Sequence, residues 1–113
     1  MKRGEIRYAN LNPVVGSEIA KRRPVLIVSN DANNRAASTV TVLPITSNVS
    51  RLFPFEVFLA AGESGLGKDS KIQAQQIRTL AKERFSGAAM GTLDAATMGL
   101  VDAALCLHLG LPG

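Results

Sequence analysis

Tryptophan is missing from this 113-residue chain, and tyrosine occurs once. With four phenylalanines, aromatics reach only 4% of the residues, which excludes a surface that reads bases chiefly by broad aromatic stacking. There is one cysteine, Cys106, so no disulfide can form within the chain and a reducing compartment is the simpler expectation. Cys106 falls in an apolar helical pattern and is expected to pack in the core. One cysteine and one histidine, His108, cannot build a zinc site of the usual kind, so neither a metal nor a cofactor is expected. His108 lies in a last helical turn, where a cation complements the helix dipole and acid/base work is not expected. The Gly-Lys pair in GLGKDS at 65–70 lacks the first glycine at the spacing of a phosphate-binding loop. No run of about 18 apolar residues occurs, and the opening MKRGEIRYANL has no apolar segment of signal-peptide length. A cytoplasmic protein with no membrane contact is the expectation.

What is present suits one globular domain over residues 1–113. Hydrophobic residues make up 46% of the chain, and thirteen Lys and Arg against nine Asp and Glu leave a net charge of +4. The pI of about 9.7 fits a polyanionic partner.

The stretch Lys21–Asp31, KRRPVLIVSND, organises the rest. Lys21, Arg22 and Arg23 stand together, Pro24 keeps the chain out of a helix, and Val25–Val28 reads as a strand buried on both faces. A cationic cluster is thereby fixed at the mouth of a rigid strand, where a working side chain is both held and exposed. Before it, Glu5–Leu11 alternates as a strand that Asn12-Pro13 ends, and Val14–Arg22 reads as a loop. After it, Asp31–Ala37 is expected to form one helical turn capped by Asn30 or Asp31.

Thr39–Thr46 alternates, with Thr41, Leu43 and Ile45 opposed to Val40 and Val42. Pro44 near its end suggests an exposed or bulged edge there. Phe55, Val57 and Leu59 make one face of a further strand, and Gly62–Gly67 a turn. Ser70–Thr79 reads as one strand with Lys71, Gln73 and Gln75 facing one way, and Phe85–Gly91 as a connection. Asp94 opens a helix over Ala95–His108 that Gly110 stops. Leu100, Ala104, Leu107 and Leu111 line one side of it, and Met98, Val101 and Leu105 another. So apolar a terminal helix is sunk in its own core or shared with a second subunit. Five or more short strands and one closing helix predict a mainly β fold, a small barrel with small helices.

The side chains left for chemistry are arginines, hydroxyls and amides: Arg23, Thr46, Ser47, Ser17, Gln73, Gln75 and Arg78, with Glu18 in the loop before Arg23. Guanidinium forks hold phosphate bidentately and hydroxyls add short donors. Such a set suits metal-free phosphodiester cleavage, in which cations stabilise charge on the phosphorus while the substrate's own 2′-hydroxyl attacks.

Taken in order, the segments resemble the MazF/PemK family of toxin endoribonucleases from type II toxin–antitoxin modules. The matching residues are RGEI at 3–6, NPVVGSE at 12–18, RPVLIVSND at 23–31 and NR at 34–35. PITS at 44–47, PFEV at 54–57, DS at 69–70 and QIRT at 76–79 continue the match. The resemblance implies an SH3-like β-barrel (MazF/CcdB-like) with a C-terminal α-helix, usually a homodimer. It implies sequence-specific, metal-independent cleavage of single-stranded RNA, leaving a 2′,3′-cyclic phosphate and a 5′-hydroxyl.

By position, Arg23 resembles the family's catalytic arginine and Thr46 the threonine supporting the same phosphate. Ser17, Glu18 and Ser47 would line the RNA groove, with Glu18 a candidate for proton transfer. Lys21, Arg22, Gln73, Gln75 and Arg78 are the other expected RNA contacts. A cognate antitoxin would block the groove with an acidic C-terminal segment.

Three positions depart from the family pattern: Gln75 stands where relatives often carry Asp or Glu, Arg7 where Trp or Tyr is common, and Asn10 where Asp is common. An amide cannot accept a proton at neutral pH, so the first bears on the general base. Two rival readings use the same barrel, a CcdB-like gyrase poison and a nucleic-acid-binding barrel without catalysis.

Overall fold

Alternation along Thr39–Thr46 produces the strand on which the other strands are assembled. The computed structural model describes residues 1–113 and orders them as β1 (Glu5–Asn10), β2 (Arg22–Ile27), α1 (Asp31–Ala36), β3 (Thr39–Thr46) and β4 (Glu56–Leu59). After these come β5 (Ser70–Gln73), β6 (Arg78–Ala81), β7 (Phe85–Thr92) and α2 (Ala95–Leu109). All pairings are antiparallel, in the order β4-β5-β3-β2-β1-β7, with β6 beside β3. The sheet curls without closing, which is the expected mainly β, barrel-like fold with a C-terminal helix.

Both faces of β2 and β3 are buried, and each face feeds its own cluster. Leu26, Leu43 and Ile45 pack with Val57, Leu59, Ile72 and, from α2, Met98, Val101 and Ala104. Val25, Ile27, Val40 and Val42 pack with Ala9, Leu11 and Leu80 on the opposite side. Burying a side chain of this size stabilises by about 1.5–3 kcal/mol, so the pair of strands is held from two directions.

Pro44 is not at an exposed edge: it is buried within β3, opposite Val25. Thr41 directs its carbonyl to Val28 and its N–H to Ser29, toward β2, so alternation aims the Pro44 nitrogen at the other edge. There the β6 pairing ends at Val42 and the β5 pairing begins at Ile45, so no ladder bond is lost.

The expected strand Ser70–Thr79 is broken by a 3-10 turn at Ala74–Gln76, and its halves β5 and β6 pair with different parts of β3. The expected connection after Phe85 is the eight-residue strand β7, paired with β1. Its run of glycine, alanine and methionine carries no strand periodicity, and only the open β1 edge makes it extended. The helix positions and caps agree with the structure, whereas Cys106, expected in the core, is only half-buried and belongs to neither cluster. Asn30 caps α1 by accepting from Asn33 N–H, and Asp94 caps α2 by accepting from Thr97 N–H. Gly110, at φ 69°, ends α2. Met98, Val101 and Ala104 turn inward, while Leu100, Leu107 and Leu111 remain more than half exposed (61%, 58% and 56%).

The glycine turn after β4 packs its backbone directly on β7. A Cβ on Gly65 would lie 2.1 Å from the Met90 carbonyl oxygen, and Gly65 sits at φ +83°. Gly67, two residues on, has open space around it and no positive φ. Gly65→Ala is therefore expected to lower the unfolding free energy by more than about 2 kcal/mol, and Gly67→Ala to leave it within about 0.5 kcal/mol. Urea unfolding of the two variants checks this; equal effects would refute the close approach.

Candidate active site

Strand pairing alone brings the two principal candidates together. The register that sets Val25 opposite Pro44 faces Arg23 with Thr46 two residues further on. Arg23 Nη1 lies 3.5 Å from Thr46 Oγ1, and Arg23 Nε donates to the Ala20 carbonyl at 2.7 Å. Thr46 Oγ1 also accepts from Asn48 N–H at 3.2 Å, which leaves the hydroxyl's own hydrogen free to be donated. Arg23 is half-buried and Thr46 buried, so neither side chain is free to wander.

Thr46 forms a shared wall between two grooves. The larger, about 450 Å³, is bounded by Arg22, Arg23, Ser47, Lys68, Tyr8 and Met90 among others. The smaller, about 220 Å³, is bounded by Ser17, Ile19, Asn48, Lys71, Gln73 and Gln76. No carboxylate lines either groove. The larger groove, with Arg22, Arg23 and Lys68 in its lining, favours an anion, whereas the smaller is lined by polar groups and by Lys71, whose charge is paired with Glu56.

The other expected site residues are distributed unevenly. Arg22 and Ser47 line the larger groove, and Ser17 and Gln73 the smaller. Lys21 is exposed, in a left-handed conformation (φ 75°), and lines neither groove. Glu18 lines neither, and its Oε1 accepts from Val15 N–H at 2.7 Å within its own loop. Arg78 donates to the Leu11 carbonyl at 3.0 Å, bracing the end of β1 rather than facing a groove. Gln75 also lines neither groove, and its Nε2 donates to Glu56 Oε2 at 2.7 Å.

Glu56, not singled out from the sequence, is the centre on which that polar set converges. Its Oε1 accepts from Phe53 N–H and Lys71 Nζ, both at 2.9 Å, and its Oε2 from Gln73 Nε2 at 3.1 Å and Gln75 Nε2. The side chain is fully buried. Burial pushes its pKa up, but Phe53 N–H, Gln75, Lys71 and Gln73 together outweigh it and hold the carboxyl at about 2. Both amides turn their donors to the carboxylate, and Gln73 Oε1 and Gln75 Oε1 are left buried and unpartnered. Lys71 Nζ also donates to the Arg51 carbonyl at 2.8 Å, so the cluster ties the loop after Thr46 to β5. The sequence signal was a glutamate inside the apolar run Phe55–Leu59, a position that demands buried donors.

Gln76, Asn48, Lys68 and Tyr8 also line the grooves without having been singled out as site residues. No cluster of three or more His, Cys, Asp or Glu side chains forms a metal-binding group. No helix is long and apolar enough to cross a membrane.

In this curled antiparallel sheet a guanidinium and a hydroxyl meet beside a groove lined by cations. Residues 2–109 match the family described as PemK-like, MazF-like toxin of type II toxin–antitoxin system, and the chain belongs to that family. It is similar to the endoribonuclease MazF9 of Mycobacterium tuberculosis, 44% identical over 116 residues that cover 98% of each protein. It is also similar to the endoribonuclease EndoA of Bacillus subtilis, 40% identical over 112 residues, 98% of this chain and 96% of the relative. Among solved structures, MazF from Deinococcus radiodurans superposes with a TM-score of 0.85 at 28% identity, covering 98% of this chain and 97% of that one. A mycobacterial endoribonuclease in complex with its cognate antitoxin superposes at 0.81 with 30% identity, covering 100% and 98%.

Glu56 gives a pH prediction with a definite sign. Its folded pKa is depressed from 4.5 to about 2, so its contribution is complete above about pH 4.5 and is lost as pH falls through 2. Glu5, Asp31 and Asp94 are lowered as well and add to the same acid limb. Urea midpoints measured between about pH 5 and about pH 2 should fall steeply in the wild type and less steeply in Glu56→Gln. Parallel curves would show that Glu56 is not held ionised.

Proposed function

We propose that this toxin endoribonuclease cuts single-stranded RNA at short sequences, without metal, by attack of the RNA's own 2′-hydroxyl on the adjacent phosphate. The endoribonuclease activity is that of its family and of the relatives named above. The finer reading rests on one observation: Arg23 and Thr46 meet at the wall of two grooves that contain no carboxylate. The scissile phosphate would lie against the Arg23 guanidinium, which stabilises the charge that grows as the phosphorus becomes five-coordinate. The Thr46 hydroxyl, already accepting two N–H donors, gives its hydrogen to a non-bridging oxygen. Nucleotides on either side of that phosphate would occupy the two grooves, against Ser47, Lys68 and Arg22 in one and Ser17 and Gln73 in the other. The 2′-oxygen bonds to phosphorus as the P–O5′ bond breaks, and the proton lost from the 2′-hydroxyl is exchanged through solvent and returned to the 5′-oxygen, so the products are a 2′,3′-cyclic phosphate and a 5′-hydroxyl.

Glu18, engaged with Val15 N–H, is read as ordering its loop rather than taking the proton. The antitoxin partner would present an acidic segment to the larger, cationic groove, and the complex would be cytoplasmic. The gyrase-poison alternative has no support among the relatives named above, which are endoribonucleases.

Cleavage of single-stranded RNA should persist in EDTA. Arg23→Ala and Thr46→Ala should each lose about 10²–10³-fold in kcat while remaining folded. Glu18→Gln should keep the acidic limb of the wild-type pH–rate profile. Activity that needs added magnesium, or wild-type cutting by both alanine variants, would sink this mechanism.

A homodimer is supported by the uncovered face of α2, where Leu100 and Leu107 join Pro54 and Phe58 around an apolar groove of about 390 Å³. Sedimentation at micromolar concentration should report about twice the 11.9 kDa chain mass. A monomer would remove this part of the reading.

A further inference from the structure

Of the hydrogen bonds that hold the loop carrying Arg23's acceptor to the body of the protein, two come from one side chain, Gln76. Between Pro13 and Ala20, three hydrogen bonds leave the loop: Gln76 Oε1 accepts from Ile19 N–H at 3.2 Å, Gln76 Nε2 donates to the Ser17 carbonyl at 3.4 Å, and Arg23 Nε donates to Ala20. The remaining bonds in the segment are internal, Val15 N–H to Glu18 Oε1 and Glu18 N–H to the Val15 carbonyl. Ile19 adds an apolar anchor by packing against the second core cluster. Gln76 itself sits in the 3-10 turn between β5 and β6, rigidly attached to the sheet.

We propose that Gln76 is a positioning residue for RNA cleavage: its amide clamps the Ser17–Ile19 backbone and, through the Ala20 carbonyl, fixes the guanidinium of Arg23. Ala20 follows Ile19 directly, so Gln76 fixes the upstream side of the Ala20 carbonyl, while Lys21 N–H, donating to Asn12 Oδ1 at 3.2 Å, fixes the downstream side of the same peptide. That carbonyl holds Nε, and with Nε held, Nη1 is aimed at Thr46. The chain of contacts runs from amide to loop to carbonyl to guanidinium. Gln76 and Ile19 also line the smaller groove with Thr46, so the clamp sets the width of the groove in which a nucleotide would lie. An amide is the side chain that suits this place, since it offers one acceptor and one donor to two backbone groups of opposite polarity. The proposal rests on the reading of Arg23 given above.

The test uses the whole protein and a short single-stranded RNA substrate. Gln76→Ala should lower kcat about 10- to 100-fold, the effect of misplacing a catalytic group by about an ångström, with KM changed less than about threefold. Gln76→Glu keeps the acceptor for Ile19 N–H but, when ionised, loses the donor for Ser17. Its kcat relative to wild type should be low at about pH 7.5 and rise toward about pH 5 as the carboxyl regains a proton. A residue that only stabilises the fold would not produce that recovery. Wild-type kcat in a folded Gln76→Ala, beside a dead Arg23→Ala, overturns the relay alone. If Gln76→Ala does not fold, a flat pH dependence of the Gln76→Glu to wild-type ratio overturns it. Wild-type cutting by Arg23→Ala overturns the reading of the site and the relay with it.

Discussion

The site depends on the antiparallel register between β2 and β3. Hydrophobic burial on both faces of these strands leaves no freedom to slip, because a shift of one residue would exchange Val25 and Ile27 with Leu26 between two different cores. That constraint, made of aliphatic packing alone, carries Arg23 to the start of one strand and Thr46 to the end of its neighbour. The pairing of Arg23 with Thr46 is therefore a consequence of the core. Pro44 fits the arrangement because its missing N–H falls where the partner of β3 changes from β6 to β5.

Charge is distributed so that the larger groove stays positive. Of the acidic side chains, only Glu83 accepts no hydrogen bond; the others cap turns, cap helices or join ion pairs on the body of the protein. Three cations pair with carboxylates, namely Arg3, Arg7 and Lys71. Arg22, Arg23 and Lys68 have no acidic partner and stand at the larger groove. Net charge on its own would indicate a polyanion partner; the absence of carboxylates from the grooves makes them the surface that would repel such a partner least.

The buried Glu56 cluster belongs to the same design. A carboxylate in an apolar strand is tolerated because four donors surround it, and one of them, Lys71, reaches the loop between β3 and β4. That loop begins with Ser47 and Asn48 beside Thr46, so the floor of the smaller groove and its rim are tied together from beneath. The departure at Gln75 thereby acquires a physical role: with Glu56 already ionised next to it, a second carboxylate at that position would be repelled, whereas an amide donates.

Local order was readable from the residues. The double-faced apolar runs predict β2 and β3, Asn30 and Asp94 mark the starts of α1 and α2, and Gly110 marks the end of α2. The pairing of a strand-mouth arginine with a strand-end threonine follows once those two strands are neighbours, and the ordered motifs identify the family. Non-local arrangement was not readable. β7 is extended only because β1 offers an edge, and the break at Ala74–Gln76 exists because two segments of one run pair with separate halves of β3. The polar residues Lys71, Gln73 and Gln75 look like a groove lining in one dimension; folding joins all three to Glu56 and leaves only Lys71 and Gln73 lining a groove. Sequence by itself determined period, caps and the chemistry on offer, because these act within a few residues. Tertiary structure alone decided which buried charge met which donor, and which amide held the loop before Arg23, because those contacts join residues 15 to 59 positions apart.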